Sequence, residues 1–130
     1  MDERNKGITI DFPRTNKNSQ SGEGMKAIYK YEFKNRIVLP VNSIIISIGI
    51  QRIKEVDTAF IWAFVDTEIK HCEMRKFLHF GTGWEIESVL KKDEKLRFIG
   101  TLHFKESGLV FHYFEAVKVF NQVEDKGLLI

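Results

Sequence analysis

The stretch FIGTLHFKESGLVFHYFE, from Phe98 to Glu115, determines the fold that this chain is expected to adopt. Two alternating apolar runs flank the polar tetrapeptide KESG at Lys105–Gly108, whose glycine can adopt the positive φ that a tight turn requires. The pattern predicts an antiparallel hairpin in which Phe104 pairs with Leu109. Every other pairing between the two strands follows from that register.

The register sorts the hairpin side chains onto two faces, because successive residues of a strand point in opposite directions. The first face is almost wholly apolar and is predicted to be core; it carries Phe98, Leu102, Phe104, Leu109, Phe111 and Tyr113. The second face is mixed and carries Ile99, Thr101, His103, Val110, His112 and Phe114. Thr101 lies opposite His112 in this register, so His103 and His112 are diagonal neighbours on the mixed face.

Alternation with a period of two also predicts strands upstream of the hairpin. The segment from Ser43 to Ile53 is predicted to place four isoleucines on one face: Ile44, Ile46, Ile48 and Ile50. The segment from Thr58 to Val65 is apolar on both faces, which is typical of a central strand. Its large aromatic side chains are predicted to belong to the core: Phe60, Trp62 and Phe64.

These segments predict an all-β fold of six to seven strands, built as a small antiparallel β-barrel or sandwich. One short helix is compatible with the pattern after the GTG at residues 81–83. Thr82 and Glu85 have the spacing of a capping box, and apolar residues recur with helical spacing from Ile86 to about Lys91.

Composition divides the chain into three parts. Residues 1–24 are polar and turn-forming and predict a flexible leader, within which Gly7–Phe12 could add a short strand to a sheet edge. Residues 25–120 carry the strand patterns and predict a single β domain, and residues 121–130 are expected to form a C-terminal tail.

Charge and cysteine content restrict the compartment and the kind of partner. The 130 residues carry a net charge of +2, which is too balanced for a protein that binds polyanions through bulk charge alone. Cys72 is the one cysteine, so the chain has no internal disulfide. No apolar run approaches the roughly 20 residues of a membrane span. We therefore expect a cytoplasmic protein without a membrane segment.

The residue types favour binding over catalysis. No nucleophile elbow, Walker loop or dinucleotide fingerprint is present, and no cofactor is implied. A zinc site normally needs three or four protein ligands, for which His79, His103 and His112 are weak candidates.

Contacts to a ligand or partner are expected where the mixed hairpin face meets the GTGW loop. Small β domains recognise ligands with aromatic and hydroxyl groups, and backbone amides of a glycine-rich turn can hold a phosphate. The expected contact residues are Thr82, Gly83, Trp84, Thr101, His103 and His112. The same surface could bind another protein or a second copy of this chain, because aromatic residues often dominate such interfaces.

The chain also contains a series of short blocks in a distinctive order: IYKYEF (28–33), IWAFVD (61–66), FGTG (80–83), FIGT (98–101) and LVFHYFE (109–115). Together these blocks resemble an uncharacterised family of small proteins encoded by bacteriophages and prophages, which carry a domain-of-unknown-function label. The likeness covers about Met25 to Ala116.

That resemblance implies a phage-borne accessory protein in the cytoplasm of the bacterial host. We therefore expect a non-enzymatic protein that binds a host anti-phage defence factor and inhibits or modulates it, in the manner of an anti-CRISPR protein. Two alternatives remain open at this point. One is a binder that sequesters a nucleotide-type small molecule, and the other is a metal-dependent hydrolase that uses the three histidines.

Overall fold

The computed structural model describes residues 25–86 and 90–119, together with the backbone of a two-residue strand near the start of the chain. Its strands are β1 (Ile8–Thr9), β2 (Lys26–Glu32), β3 (Arg36–Pro40), β4 (Ile44–Ile53), β5 (Val56–Asp66), β6 (Cys72–Gly81), β7 (Glu94–Phe104) and β8 (Leu109–Lys118). Within these ranges no helix has the length and apolar character needed to cross a membrane.

The strands form two antiparallel four-stranded sheets. Sheet A has the order β1-β2-β5-β4, and sheet B has the order β3-β6-β8-β7. Among the described strands no ladder joins one sheet to the other, so the sheets pack as a sandwich and do not close into a barrel. The predicted all-β antiparallel fold is confirmed, with the sandwich as the observed form.

The hairpin that β7 and β8 form has the predicted register. Phe104 pairs with Leu109, Thr101 pairs with His112, and Gly108 in the turn has a φ of 77°. The central position predicted for the Thr58–Val65 segment is also confirmed, because β5 lies between β2 and β4.

Some sequence predictions concern parts of the chain that lie outside the described residues. The predicted leader over residues 1–24 is described only at β1, which pairs with β2 and lies within the predicted Gly7–Phe12 strand. The tail over residues 121–130 is not among the described residues.

The short helix predicted after the GTG segment is not observed in the described part of that connection. Residues 84–86 and 90–91 have no helical structure, and residues 87–89 lie outside the described residues. The prediction is wrong for the described positions. Ile86 and Leu90 pack against sheet B, and this tertiary contact outweighs the local helix propensity.

The main core lies between the two sheets. From sheet A it takes Ile61, Ala63 and Val65, all at most 1% exposed, and from sheet B the fully buried Phe77. Burying a large apolar side chain of this kind stabilises the folded state by about 1.5–3 kcal/mol.

A second, smaller core covers the outer face of sheet B. Phe80, Leu96 and Phe114 form its buried part, and Ile86 and Leu90 from the connection between β6 and β7 pack on it. The connection therefore adds a partial third layer to the sandwich.

The end of this connection is anchored by a buried carboxylate. Glu94 is 7% exposed, accepts a hydrogen bond from the Lys91 amide at 3.1 Å and forms an ion pair with Lys76 Nζ at 3.1 Å. These contacts, led by the Lys91 amide, outweigh desolvation and lower the pKa of the Glu94 carboxyl.

The strands β4 and β7 each contain one β-bulge. The pairing of β4 with β5 shifts between Ile45 and Ser47, and the pairing of β7 with β8 shifts between Phe98 and Gly100. Each bulge inserts one unpaired residue, so side chains beyond it change faces relative to a regular strand.

The bulges overturn the face predictions for Ile44 and Phe98, and Ile99, predicted on the mixed face, packs against the main core. Ile44 pairs with Phe64, on the face opposite to Ile48, and is 55% exposed. Phe98 pairs with Phe114 on the mixed face and is 41% exposed. The prediction that Ile44 shares a face with Ile48, and the prediction that Phe98 lies on the core face, are both wrong because an inserted residue reverses the alternation.

The aromatic side chains of β5 do not lie between the sheets. Trp62 pairs with Lys30 on the outer face of sheet A and packs against Gly49, whose Cβ, if present, would lie 3.2 Å from the indole. Phe60, on the same face, is buried at 3% exposure, with Lys30 Nζ 4.7 Å from its ring centroid. Phe60 is thus core-like as predicted, although Trp62 and Phe64 are only partly buried and all three face away from the main core.

The two sheets approach each other closely where the edge strands β4 and β7 cross. A Cβ on Gly100 would lie 2.9 Å from Cγ2 of Ile48, which is closer than van der Waals contact permits. Gly100 therefore allows the close approach of the two edges, and a side chain there would push them apart.

We expect Gly100→Ala to destabilise the protein by about 1–3 kcal/mol, the usual cost of overpacking. Urea denaturation measures this loss. In an Ile48→Ala background the obstructing methyl group is absent, so the same Gly100→Ala change should cost clearly less. Equal costs in the two backgrounds would contradict the proposed contact.

Candidate functional site

The imidazole of His112 is held from both sides by threonine hydroxyls. Its Nε2 lies 2.8 Å from Thr82 Oγ1, and its Nδ1 lies 3.0 Å from Thr101 Oγ1. One ring nitrogen of a neutral imidazole donates and the other accepts, so both threonines can be satisfied at once. The two contacts tie β8 to β7 and to the turn after β6, and they fix the orientation of the ring.

Trp84 lies on the opposite side of sheet B from His112. Its indole covers Gly81, where a Cβ would approach within 2.7 Å, and meets the Phe111 ring edge-on at 5.8 Å between centroids. Gly81 pairs with Phe111 and faces the same side of the sheet, whereas His112 pairs with Phe80 and faces outward.

The structure therefore brings together three of the six residues expected to form the binding surface: Thr82, Thr101 and His112. His103 is exposed on the same face and pairs with Val110. Gly83 is exposed in the turn, and the neighbouring Trp84, 57% exposed, turns to the other side.

The three histidines considered for a metal site do not converge. His79 pairs with Tyr113 and faces the space between the sheets, whereas His103 and His112 face outward. Within the described part of the chain, no group of three or more potential ligands is placed to hold a metal ion. A site built on all three histidines is therefore incompatible with this sheet.

His79 lies among aromatic rings at one end of the sandwich. Its ring centroid is 5.5 Å from Phe33, 4.9 Å from Phe111 and 5.5 Å from Tyr113, with which it is stacked. Its buried Nδ1 has no hydrogen-bond partner among the described residues. Burial lowers the pKa of His79, because the aromatic surroundings disfavour the charged imidazolium.

The sequence predictions did not identify a cleft between the edge strands β4 and β7. Its volume is about 280 Å³, and its described lining consists of Ser43, Ile44, Ile45, Ile46, Arg75, Arg97, Phe98, Ile99 and Glu115. The two strands touch at Ile48 and Gly100 and separate where each carries its bulge. Bulges often re-aim side chains beside binding sites, and both bulge residues line this cleft.

An ion pair forms the floor of the cleft. Arg75 donates from Nε to Glu115 Oε2 at 2.7 Å and from Nη2 to Glu115 Oε1 at 3.0 Å. Its Nη1 donates to the Ser43 carbonyl at 2.6 Å, which links sheet B to the residue before β4 in sheet A. A second guanidinium, that of Arg97, has Nη1 3.5 Å from Glu115 Oε1.

This ion pair is buried, with Glu115 only 4% exposed. Burial alone would lower the pKa of Arg75, but the hydrogen bonds to Glu115 and its negative charge together outweigh desolvation and raise that pKa. The Arg75 guanidinium therefore remains charged, and the bidentate geometry offsets the cost of removing the pair from water.

The sequence carried a partial signal for this site. In a regular strand Arg75 alternates onto the face of Phe77, and Glu115 alternates onto the face of Tyr113, so both charges fall on apolar faces. A charge on such a face is seldom buried without a partner. The positions of the bulges, by contrast, have no local signal in the pattern.

We expect acid to destabilise the protein through His79. Because burial lowers the pKa of His79 in the folded state, the unfolded chain takes up the proton first, at about pH 6.5. The stabilising contribution is complete above that pH and decreases as the pH falls through the window between the unfolded and folded pKa values. Urea denaturation of wild type and His79→Phe, at a series of pH values from neutral to mildly acidic, measures the difference.

The His79→Phe variant should show a weaker loss of stability in this window, whereas a variant at the exposed position, His103→Gln, should resemble wild type. An unchanged pH dependence in His79→Phe would refute the assignment.

The buried ion pair predicts a large asymmetry between single and double substitutions. Arg75→Met leaves the Glu115 carboxylate buried without its bidentate partner and should cost about 3–5 kcal/mol of unfolding free energy. The double variant Arg75→Met/Glu115→Met removes both charges and should be more stable than Arg75→Met. Chemical denaturation provides both values.

Arg52→Met is the matched control, because Arg52 forms its ion pairs with Asp57 and Glu106 on the surface. It should lose far less stability than Arg75→Met. A double variant that is less stable than Arg75→Met would show that the pair is not acting as a buried charge pair.

Comparison with known proteins adds one finding to this geometry. No curated protein and no solved structure matches the chain. Residues 25–122, most of the chain and all of the long strands, match a family described as a domain of unknown function. The chain therefore belongs to the family Domain of unknown function (DUF7352).

Proposed function

We propose that this chain is a non-enzymatic binding protein that docks on a partner protein through an apolar surface, the β4–β7 rim. The rim consists of Ile44, Ile46 and Phe98, which are 55%, 48% and 41% exposed. All three line the same cleft, so they form one surface and are not isolated exposed side chains. This clustering is the observation that carries the proposal.

The energetics of the rim suit a protein interface. Covering an exposed isoleucine or phenylalanine contributes about 1.5–3 kcal/mol. Aromatic and arginine side chains frequently act as hot spots, and Phe98 lies next to Arg97 in the chain and in the cleft. The rim residues belong to or adjoin strands that are paired within their sheets, so little conformational entropy would be lost on binding.

The contacts of His112 and Glu115 favour binding over catalysis at these two positions. Both ring nitrogens of His112 are engaged by Thr82 and Thr101, which makes the imidazole a structural link between strands. The carboxylate of Glu115 accepts two hydrogen bonds from Arg75. A general base must reach a substrate proton with a free acceptor, and both ring nitrogens of His112 are already engaged by neighbouring hydroxyls.

The partner that we propose is a host anti-phage defence factor in the bacterial cytoplasm, which this chain binds and inhibits. Support comes from the resemblance of blocks such as IWAFVD (61–66) and LVFHYFE (109–115) to small phage-encoded proteins. A compact β-sandwich with a preformed apolar rim is also suited to stoichiometric inhibition, because it can occlude a partner's surface without turnover.

The proposal is tested by reconstitution. Proteins captured by the tagged chain from bacteria that carry defence systems are purified, mixed with the pure chain and examined by native mass spectrometry, calorimetry and an assay of the defence activity. We expect a stoichiometric complex that suppresses this activity. Phe98→Ser should raise the dissociation constant of the complex at least about tenfold, as expected for a hot-spot residue.

Met74→Ser is the matched control, because Met74 is 60% exposed but pairs with β3, the edge of sheet B opposite to β7. It should bind like wild type. The proposal fails if no purified defence protein forms a complex, or if Phe98→Ser and Met74→Ser bind alike. It also fails if the purified chain buries the rim in a homodimer.

A further inference from the structure

Strand β3 lies at the edge of sheet B, and no described strand covers its outer side. It pairs with β6 alone, and the sheet order places it at the end opposite to β7. The β7 edge differs, because β4 and β7 approach each other at Ile48 and Gly100. An uncovered edge presents unpaired backbone N–H and C=O groups, which can pair with an additional strand.

The backbone hydrogen bonds identify which groups of β3 face the open edge. The Phe77 amide donates to the Asn35 carbonyl at 2.8 Å, directly before β3 begins. The pairing of β3 with β6 contains no register shift, so odd-numbered residues bond to β6 and even-numbered residues direct their N–H and C=O groups to the other side. Arg36 and Val38 thus each present one donor and one acceptor at the edge.

The open edge is short and ends at Pro40. Proline has no N–H, and the Pro40 carbonyl accepts hydrogen bonds from the Ser43 amide at 3.2 Å and from the Ser43 hydroxyl at 2.6 Å. The side chain of Val38 is 60% exposed, so the space beside it is open. An added strand is therefore expected to pair with Arg36 and Val38.

Positive charge predominates in the groove of about 240 Å³ that lies between β2 and β3. Its charged lining residues are Lys30, Glu32, Lys34 and Arg36, of which three are cationic. Among the described residues, neither Lys34 nor Arg36 has an ion-pair partner. Lys30 donates to the side-chain oxygen of Gln51 at 2.6 Å, and this acceptor is neutral. The groove therefore favours an anionic ligand.

The strand on the other side of β3 leaves the charge of Arg36 uncompensated. Arg36 lies opposite Lys76 of β6, and Lys76 is itself paired with Glu94 at 3.1 Å. Opposite charges that face each other across two strands attract. An acidic residue is therefore the best match for Arg36 on the open side.

We propose that the edge of β3 accepts an extended acidic segment of a partner protein, which pairs with it as an additional antiparallel strand. Main-chain hydrogen bonds to Arg36 and Val38 supply the affinity, and the cationic side chains select carboxylates. Charged residues on an edge also oppose unspecific pairing, so a basic strand is excluded. This surface goes beyond the proposed function, because it lies on the edge of sheet B opposite to β7 and does not involve the β4–β7 rim.

The inference is tested on the full-length chain with a short capped peptide that alternates glutamate and valine. NMR titration should give saturable shifts. Hydrogen exchange of the Arg36 and Val38 amides should slow in the complex, because these amides become donors to the added strand. A peptide that alternates lysine and valine should give no saturable shift. Added salt should weaken binding of the glutamate peptide, because salt screens exposed charges.

Two N-methylated forms of the glutamate peptide separate strand pairing from charge attraction. Residues opposite Arg36 and Val38 in an antiparallel ladder direct their N–H groups toward β3, and the attraction to Arg36 places glutamates at these positions. Methylation of the glutamate amides should abolish saturable binding, whereas methylation of the valine amides, on the far edge, should leave it intact. Both forms carry the same charge, so equal binding of the two would overturn the inference.

Variants of the chain locate the site. Val38→Pro removes an N–H that β6 does not use, so the sheet should stay folded while the dissociation constant of the glutamate peptide rises at least about tenfold. Val38→Thr keeps this N–H and should bind like wild type. Arg36→Gln should raise the dissociation constant about two- to fivefold, whereas the surface variant Arg52→Gln should not change it. Urea denaturation checks that each variant is folded.

Unchanged peptide binding by folded Val38→Pro would refute strand addition, and so would shifts that do not saturate. Tighter binding of a short oligothymidylate than of the glutamate peptide would also overturn the inference, because it would identify a general surface for polyanions. Peptide binding is measured on the isolated chain, so its failure is distinguishable from failure of the partner complex in the reconstitution experiment.

Discussion

Two single-residue insertions, the bulges at Ile46 and Ile99, are the constraint on which the surface of this protein depends. They occur on β4 and β7, the neighbouring edges of the two sheets. Each one reverses the alternation at one end of its strand and turns a large apolar residue, Ile44 or Phe98, toward solvent. Without them, both side chains would be directed into the sandwich and the rim would not exist.

The cleft beside the bulges has the Arg75–Glu115 ion pair at its floor. Arg75 joins Glu115 within sheet B and reaches the Ser43 carbonyl before β4, so a single guanidinium connects the two sheets below the rim. A buried pair of this kind contributes less to net stability than apolar packing would, but it imposes geometry on the groups around it. Nearby, β4 and β7 approach each other closely at Ile48 and Gly100. The cleft lies beyond this contact, next to the two bulges.

The sequence predicted the features that depend on local patterns. The hairpin register followed from the KESG turn and the alternation around it, because both strands and their connection are contiguous. The fold class and the central position of β5 followed from alternation in the same way. The reversed faces of Ile44 and Phe98 could not be predicted, since a bulge leaves composition unchanged and alters only the count of residues along the ladder.

The candidate site was predicted only in part, for a related reason. Thr101 and His112 meet as the hairpin register predicted, and Thr82 reaches His112 from the GTG turn, but Trp84 turns to the other side of the sheet. The ion pair joins residues 40 positions apart, and a separation of that length has no signature in local patterning. The helix predicted from the capping box does not form at the described positions, because Ile86 and Leu90 of the β6–β7 connection pack on sheet B instead.

The resulting picture is a β-sandwich with an apolar rim above a cleft whose floor is a buried ion pair. In this arrangement the bulge at Ile99 turns Phe98 outward. Nuclear Overhauser contacts of the Phe98 ring measure its orientation. We expect contacts with the ring of Phe114, whose centroid lies 5.4 Å away. Contacts with the Tyr113 ring in the interior, in place of Phe114, would contradict it.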